Sequence, residues 1–164
     1  MSYLVSIDPG LRHCGVSVYS EVQRTGLVWG LVKNSELEAR GPLAHLKMAE
    51  AVSKQLRTWG VSFGSMRLAI EYPQIYAGSD ERKGDLNDIV EVGGVVSAIV
   101  SWLAVDESNL TWYYPQAWKA QVPKKVMTER IKKFAPWCDA KDHNVLDAVG
   151  IGLFALGLMG RGGA

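Results

Sequence analysis

The chain has 164 residues, 48% of them hydrophobic and 21% charged, which suits one folded domain over residues 1–164 and leaves no room for a second. Its formal net charge of +1 does not by itself indicate an acidic partner. Any contact with nucleic acid must therefore come from local clusters of Lys and Arg. The two cysteines, Cys14 and Cys138, come without a secretory start and predict a reducing cytosol, not a disulfide framework. The longest apolar run, 148–159, is too short to span a bilayer, so we expect a cytoplasmic protein without membrane contact.

The first stretch predicts a β-hairpin with a carboxylate at its mouth. An apolar run over 4–7 ends in Asp8, Pro9-Gly10 turns the chain, and a second β-branched run follows Gly15. An Asp at the end of so apolar a strand costs free energy unless something compensates its charge. A metal ion, a cationic partner or a set of backbone N–H donors would each serve.

The next elements extend this hairpin into a sheet. Residues 26–32 predict a third strand and hence an antiparallel meander, and 42–59 predict an amphipathic helix that covers one sheet face. The short strand 66–70 is reached through that helix, so it should run parallel to the first strand. It ends in Glu71 and repeats the pattern at Asp8, a strand followed by a carboxylate and a proline.

A polar loop and a very apolar helix follow Glu71. Residues 76–85 are rich in glycine and polar side chains and predict a loop where substrate would enter. Asp85 can cap the next helix, which runs to Leu103 and is apolar nearly all round. Such a helix needs cover on two sides, either inside the monomer or from a second copy that Gly93-Gly94 would allow to approach closely.

A basic segment follows the fifth predicted strand, 110–114. Residues 119–133 contain six positive side chains against Glu129 alone: Lys119, Lys124, Lys125, Arg130, Lys132 and Lys133. This composition is typical of a loop and short helix that bind phosphates, and equally of a solvated helix face.

The closing helix, predicted over 139–159, adds a third carboxylate. Asp147 lies in an otherwise apolar sequence, where burial would raise its pKa unless a cation is near. Asp8 and Glu71 end neighbouring parallel strands, so their side chains can lie about 5 Å apart at one sheet edge. With Asp147 packed on that edge, the all-oxygen set favours Mg²⁺ or Mn²⁺ over zinc, and two ions would suit phosphodiester hydrolysis.

Several motifs together resemble a known family. In chain order they are Ile7-Asp8-Pro9-Gly10 with Gly15, Ala69-Ile70-Glu71, Gly93-Gly94, Tyr114-Pro115-Gln116-Ala117-Trp118-Lys119, Pro123-Lys124-Lys125-Val126 and Asp147-Ala148. On these motifs, which run over nearly the whole chain, the sequence resembles the RuvC-type Holliday junction resolvases of the ribonuclease H-like superfamily. We therefore expect an α/β fold with a five-stranded mixed sheet, strands one to three antiparallel, and helices on both faces.

The resemblance implies a homodimer that cuts four-way DNA junctions by paired nicks in strands of like polarity. Cleavage would need Mg²⁺ or Mn²⁺ and would leave 5′-phosphate and 3′-hydroxyl ends. Asp8 would bridge two ions, with Glu71 and Asp147 completing the site. The DNA-binding positions would be Lys119, Lys124, Lys125 and an aromatic after Glu71, either Tyr72 or Tyr76.

One position departs from the family pattern. The family usually has an acidic residue three positions before the last Asp, and here that position is Asn144. Helical geometry places both Asn144 and His143 within about 60° of Asp147, whereas Asp142 fits a first-turn residue favoured by the helix dipole. Either Asn144 supplies a neutral oxygen, or His143 replaces the acid as ligand or proton carrier, or the site is weakened.

Two other functions compete with a junction nuclease. A weakened site would leave a dimer that binds junctions without cutting them. An actin-like sugar kinase or ATPase also begins with an Asp and Gly hairpin, but it needs a second domain and a second phosphate-binding glycine hairpin, which this sequence does not contain.

Overall fold

The computed structural model describes residues 2–34, 40–74, 86–120 and 122–160. The strands are β1 (Tyr3–Asp8), β2 (His13–Ser20), β3 (Thr25–Lys33), β4 (Met66–Glu71) and β5 (Leu110–Tyr113). The helices are α1 (Pro42–Thr58), α2 (Leu86–Leu103), α3 (Pro115–Trp118), α4 (Lys124–Phe134) and α5 (His143–Ala155). None of the helices in these ranges is both long and apolar enough to cross a membrane.

The five strands form one mixed sheet in the order β3-β2-β1-β4-β5. Strands β1, β2 and β3 pair antiparallel, as the hairpin and meander predicted. Strand β4 pairs parallel with β1, and β5 pairs parallel with β4. The predicted five-stranded mixed sheet is therefore confirmed, with β1 at its centre.

Alternation of side chains along the strands divides the core between the two sheet faces. Val5, Ile7 and Ile70 belong to the cluster that also contains the buried residues of α1 and α2. Leu4 and Ala69 belong to the cluster of α4 and α5 on the other face. Helices on both faces were predicted and are confirmed.

Helix α2 obtains part of its cover from α1. A Cβ on Gly94 would lie 2.2 Å from the His45 ring of α1, so this glycine allows a close approach within the chain. His45 Nε2 lies 2.7 Å from Glu91 Oε2 and ties the same two helices together. Two large apolar side chains of α2 remain exposed, Val90 at 72% and Trp102 at 43%, and the second copy predicted to cover this helix stays a prediction.

The start of α5 differs from the sequence prediction. Helix α5 begins at His143, not at 139, because the Asp142 side chain caps it by accepting the Asn144 N–H at 2.9 Å. The basic segment forms a regular helix of eleven residues, α4, separated from Lys119 by a break in helical structure. Of the loop predicted over 76–85, all residues lie outside the described ranges, including Tyr76 and Asp85.

Candidate active site

Asp8 and Glu71 lie side by side at the carboxyl ends of the two central parallel strands. Ile7 pairs with Ile70, so the residues that follow them are neighbours across the β1–β4 ladder, about 4.8 Å apart along the hydrogen-bonding direction. Side chains alternate between the two faces along a strand, and by this alternation both acids lie on the sheet face that packs against α5, as Ala69 does. The predicted juxtaposition of these two carboxylates is present.

Helix α5 brings Asp147 to the same edge, and two buried hydroxyls fix its position. Ser6 Oγ donates to the carbonyl of Ala148 at 2.8 Å, and Tyr19 Oη donates to the carbonyl of Val149 at 2.7 Å. Gly15 lets the start of α5 approach closely, because a Cβ there would lie 1.8 Å from the carbonyl oxygen of Asn144. The residue after Asp147 is thus anchored directly to the strand that carries Asp8.

The ammonium of Lys119 lies between two of these carboxylates. Lys119 Nζ is 2.8 Å from Asp147 Oδ2 and 3.2 Å from Glu71 Oε2. It also stands 4.6 Å from the centre of the Trp118 ring. The contact of Lys119 with the DNA backbone stays a prediction. In the structure its ammonium is engaged by the carboxylate cluster, because Lys119 follows β5, whose last residue pairs with Glu71.

The carboxylates are electrostatically unfavourable as they stand. Burial raises the pKa of Asp8 well above its usual range, and the charges of Glu71 and Asp147 raise it further. Burial also raises the pKa of Glu71, against the opposing effects of Lys119 and of the Trp118 N–H. No hydrogen bond from a described residue reaches the Asp8 carboxylate, so backbone donors do not compensate its charge. A cation is the compensation that the surroundings of Asp8 favour.

Burial alone would lower the pKa of the Lys119 ammonium, but Glu71 and Asp147 raise it above its ordinary value. Lys119 therefore stays charged at neutral pH. One ammonium faces three carboxylates, and this excess of negative charge is what an added cation would balance.

The donor set fits a hard divalent cation. Carboxylate oxygens are the ligands that Mg²⁺ and Mn²⁺ prefer. Within the described ranges no three acidic, His or Cys side chains converge closely enough to ligate one ion as they stand. Because Lys119 bridges Glu71 and Asp147, binding of an ion would require these side chains to exchange the ammonium for the metal.

The remaining predicted ligands lie close in sequence but make no described contact with the carboxylates. Asn144 is half-buried, and its backbone packs on Gly15. His143 is exposed and lines a basic groove of about 550 Å³ beside α4. The groove residues are Lys124, Lys125, Thr128, Glu129, Lys132 and His143. Two predicted DNA-binding lysines, Lys124 and Lys125, thus line one groove with His143.

Trp118 is a site residue that the sequence reasoning missed. Its indole Nε1 donates to Glu71 Oε2 at 2.8 Å, and its side chain is fully buried. A signal was present in the sequence, because Trp118 and Lys119 follow the fifth strand directly and so must lie near the edge where Glu71 ends.

The architecture is a mixed five-stranded sheet between helices, with a carboxylate cluster at the carboxyl ends of its central strands. No family model matches the sequence, and no curated protein matches it significantly. Two solved structures of RuvC from Thermus thermophilus match it in fold. One, in complex with a Holliday junction substrate, is 18% identical at a TM-score of 0.68 and covers 95% of this chain and 94% of that chain. The other is 16% identical at 0.61 and covers 96% and 98%. The chain has the RuvC-type fold.

Proposed function

We propose that this protein is a divalent-metal-dependent endonuclease that resolves four-way (Holliday) or other branched DNA junctions. The observation that carries the proposal is the convergence of Asp8, Glu71 and Asp147 at one edge of a RuvC-type sheet. The solved relative in complex with a Holliday junction supports the choice of substrate.

Asp8, Glu71 and Asp147 would hold Mg²⁺ or Mn²⁺, with Asp8 shared between two ions. Such ions, when bound, activate a water molecule and stabilise the leaving oxygen of a phosphodiester. In the proposed hydrolysis the water would lose a proton as its oxygen adds to phosphorus, and the bond from phosphorus to the 3′ oxygen would break as that oxygen takes up a proton, which would leave 5′-phosphate and 3′-hydroxyl ends. Lys119 would keep its positive charge beside the phosphate after it leaves the carboxylates.

Asn144 is our candidate for a fourth, neutral oxygen ligand. It precedes Asp147 by three residues on α5, and side chains at that spacing share one helix face. His143 is exposed and lines the basic groove, a position that supports a role in proton transfer or phosphate contact.

DNA would reach the site along the groove of Lys124 and Lys125. Beside Glu71, Tyr72 is 37% exposed and makes an edge-to-face contact with Trp112, with ring centroids 5.8 Å apart, which supports a part in opening the junction centre. Tyr76, the other predicted candidate, lies outside the described residues.

Paired nicks require two active sites, so we propose a homodimer formed through α2, whose Val90 and Trp102 side chains are exposed. Sedimentation equilibrium tests this: a monomer at micromolar concentration in the presence of junction would exclude it. The described cysteines, Cys14 and Cys138, are free and buried, which supports action in the reducing cytoplasm.

One observation favours a second function, a junction-binding dimer that does not cut. The Lys119 ammonium already bridges Glu71 and Asp147, and Asn144 stands where the family has an acid. If Lys119 cannot be displaced, the site would bind DNA without hydrolysing it.

A cleavage assay separates these functions. Purified protein is incubated with a synthetic four-way junction or a matched linear duplex, in Mg²⁺, Mn²⁺ or chelator. The nuclease predicts symmetric nicks on the junction alone, dependent on metal. Asp8→Asn should lower the rate at least about 100-fold, because a metal ligand is lost. Asp106→Asn, an exposed acid at the opposite end of the sheet, is the matched control.

Tight junction binding with no nicks in either metal would favour the binding function. Recovery of cleavage by Asn144→Asp would then identify the missing ligand. Equal binding to junction and duplex would contradict both functions.

A further inference from the structure

Trp118 is a fully buried tryptophan whose polar atom contacts the carboxylate cluster. A buried indole N–H needs an acceptor, and here the acceptor is Glu71 Oε2 at 2.8 Å. The bond links α3 to the end of β4. Hydrogen bonds to an ionised acceptor are shorter and stronger than neutral ones, so this contact restrains the carboxylate and not only the indole.

Packing fixes the orientation of the Trp118 ring. A Cβ on Gly150 of α5 would lie 2.5 Å from the ring carbon Cζ3, and Ile131 of α4 contacts the same spot. The absence of a side chain at Gly150 therefore creates the space that the indole occupies. Because α5 also carries Asp147, the ring and that second carboxylate are held by one helix.

Two donors converge on the same oxygen of Glu71. The Trp118 N–H and the Lys119 ammonium both contact Oε2, at 2.8 and 3.2 Å. Described residues place no hydrogen bond on Oε1. The two donors differ in one respect: Lys119 also binds Asp147 and can move on a flexible stem, whereas the indole is held by its packing.

We propose that Trp118 is a positioning residue, which holds Glu71 through Oε2 and so keeps Oε1 available as the ligand atom for a divalent cation. The inference rests on the proposed metal-dependent function and adds a residue to it. When Lys119 leaves Glu71, the indole N–H remains and prevents the carboxylate from rotating. Loss of an outer partner of this kind typically lowers metal affinity 10- to 100-fold.

The first test measures metal binding without any turnover. Mn²⁺ binding is followed by loss of its free electron paramagnetic resonance signal in wild type, Trp118→Phe and Trp137→Phe. Trp137 packs on Trp29 and Tyr19 in the same core and serves as the control for losing an indole. We expect Trp118→Phe to weaken Mn²⁺ binding about tenfold and Trp137→Phe to leave it unchanged.

The same measurement on these three proteins and on a fourth, Asp8→Asn, separates failure of this inference from failure of the proposed function. If Asp8→Asn binds Mn²⁺ as wild type does, the metal site itself is wrong. If Asp8→Asn loses Mn²⁺ but Trp118→Phe binds it as tightly as wild type, only the positioning role is overturned. Equal weakening by Trp118→Phe and Trp137→Phe would also overturn it, since a general packing defect would then explain the loss.

A second measurement needs no variant with an altered core. The chain has six tryptophans, so ¹⁵N-labelled wild type gives at most six indole N–H signals in a nuclear magnetic resonance spectrum. One signal should stay downfield and protected from solvent exchange both without metal and at saturating Mg²⁺, and Glu71→Gln should shift that signal more than the other five. An indole that exchanges with solvent when Mg²⁺ binds would overturn the inference, because Trp118 would then have released Glu71.

Discussion

The Lys119 ammonium balances part of the negative charge of the carboxylate cluster, but not all of it. This ammonium holds Glu71 and Asp147 together, yet Asp8 receives no described hydrogen bond and its pKa is raised by burial and by its acidic neighbours. The metal-free site is therefore destabilising for the fold, as sites that must bind a cation generally are. Replacement of Asp8 should therefore raise the free energy of unfolding of the metal-free protein and lower its cleavage rate.

We predict that Asp8→Asn stabilises the metal-free protein at pH 8 and not at pH 4. The unfolded Asp8 titrates near 3.8 and the folded one well above it, so ionisation favours the unfolded chain as pH rises through this window. The stability lost by wild type over this range is not lost by the neutral variant. In chelator at pH 8 the free energy of unfolding should be about 1 kcal/mol higher in Asp8→Asn, measured by urea titration.

Mg²⁺ should reverse this difference, since it stabilises only a chain that binds it. Asp106→Asn, a substitution at an exposed position, is the matched control. A gain in stability that is the same at pH 4 and pH 8 would contradict the electrostatic cause.

At the scale of single residues the sequence predicted the acids better than their partners. Asp8, Glu71 and Asp147 could be found because a carboxylate in an apolar context is conspicuous. The contact between Trp118 and Glu71 could not, since it depends on the direction in which the chain leaves β5. The position of Lys119 was missed because its charge was counted with the lysines of α4, although α3 turns it back to the sheet edge.

Among the secondary-structure elements, α5 contributes most to the assembly of the site. It packs on β1 and β2 through hydrogen bonds from Ser6 and Tyr19 to its backbone. Those bonds use the carbonyls of residues 148 and 149, so the helix cannot slide along the sheet without breaking them. The close approach of the start of α5 to Gly15 also fixes the helix on the sheet, and the position of Asp147 follows from this packing.

We predict that Gly15→Ala displaces the start of α5 and lowers both stability and cleavage. The new methyl group would lie 1.8 Å from the Asn144 carbonyl oxygen, which is backbone and cannot rotate away. We expect a loss of about 2–3 kcal/mol in urea unfolding and at least a tenfold lower rate on the junction. Gly64→Ala is the matched control, because a methyl group there meets nothing within 4 Å.

A Gly15→Ala protein with wild-type stability would mean that α5 does not pack on the sheet as described.

The number and order of the secondary-structure elements were largely predictable, because hydrophobic periodicity defines them. The start of α5 was not, since a capping hydrogen bond from Asp142 decides it, and hydrophobic periodicity does not show which of the polar residues within 139–144 caps the helix.

Across the whole molecule, charge is distributed unevenly although its total is close to zero. The groove beside α4 has three lysines, Lys124, Lys125 and Lys132, against Glu129 alone, while the carboxylate cluster has three acids against Lys119 at the sheet edge. Under the proposed function, DNA would be attracted by the basic groove and hydrolysed at the carboxylate cluster. The sequence predicted the basic segment, but only the packing of α4 near the start of α5 makes it a groove.

We predict that the double substitution Lys124→Gln and Lys132→Gln weakens junction binding and reduces its dependence on salt. Each lost phosphate contact lowers the slope of log affinity against log salt by about 0.9, so the double variant should lose about 1.8. Fluorescence anisotropy with labelled junction measures the affinity and its salt dependence over a range of about 50 to 200 mM salt. Lys54→Gln, on the exposed side of α1, should change neither quantity. An unchanged slope in the double variant would place the DNA elsewhere.

The carboxylate cluster draws its members from distant parts of the chain, with 138 residues between Asp8 and Asp147. A ribosome must therefore synthesise α5 before the site can exist, and the partly made chain carries Asp8 and Glu71 without their third partner. Under the proposed function, only the folded product, with its last helix packed on the sheet, would be able to cut DNA.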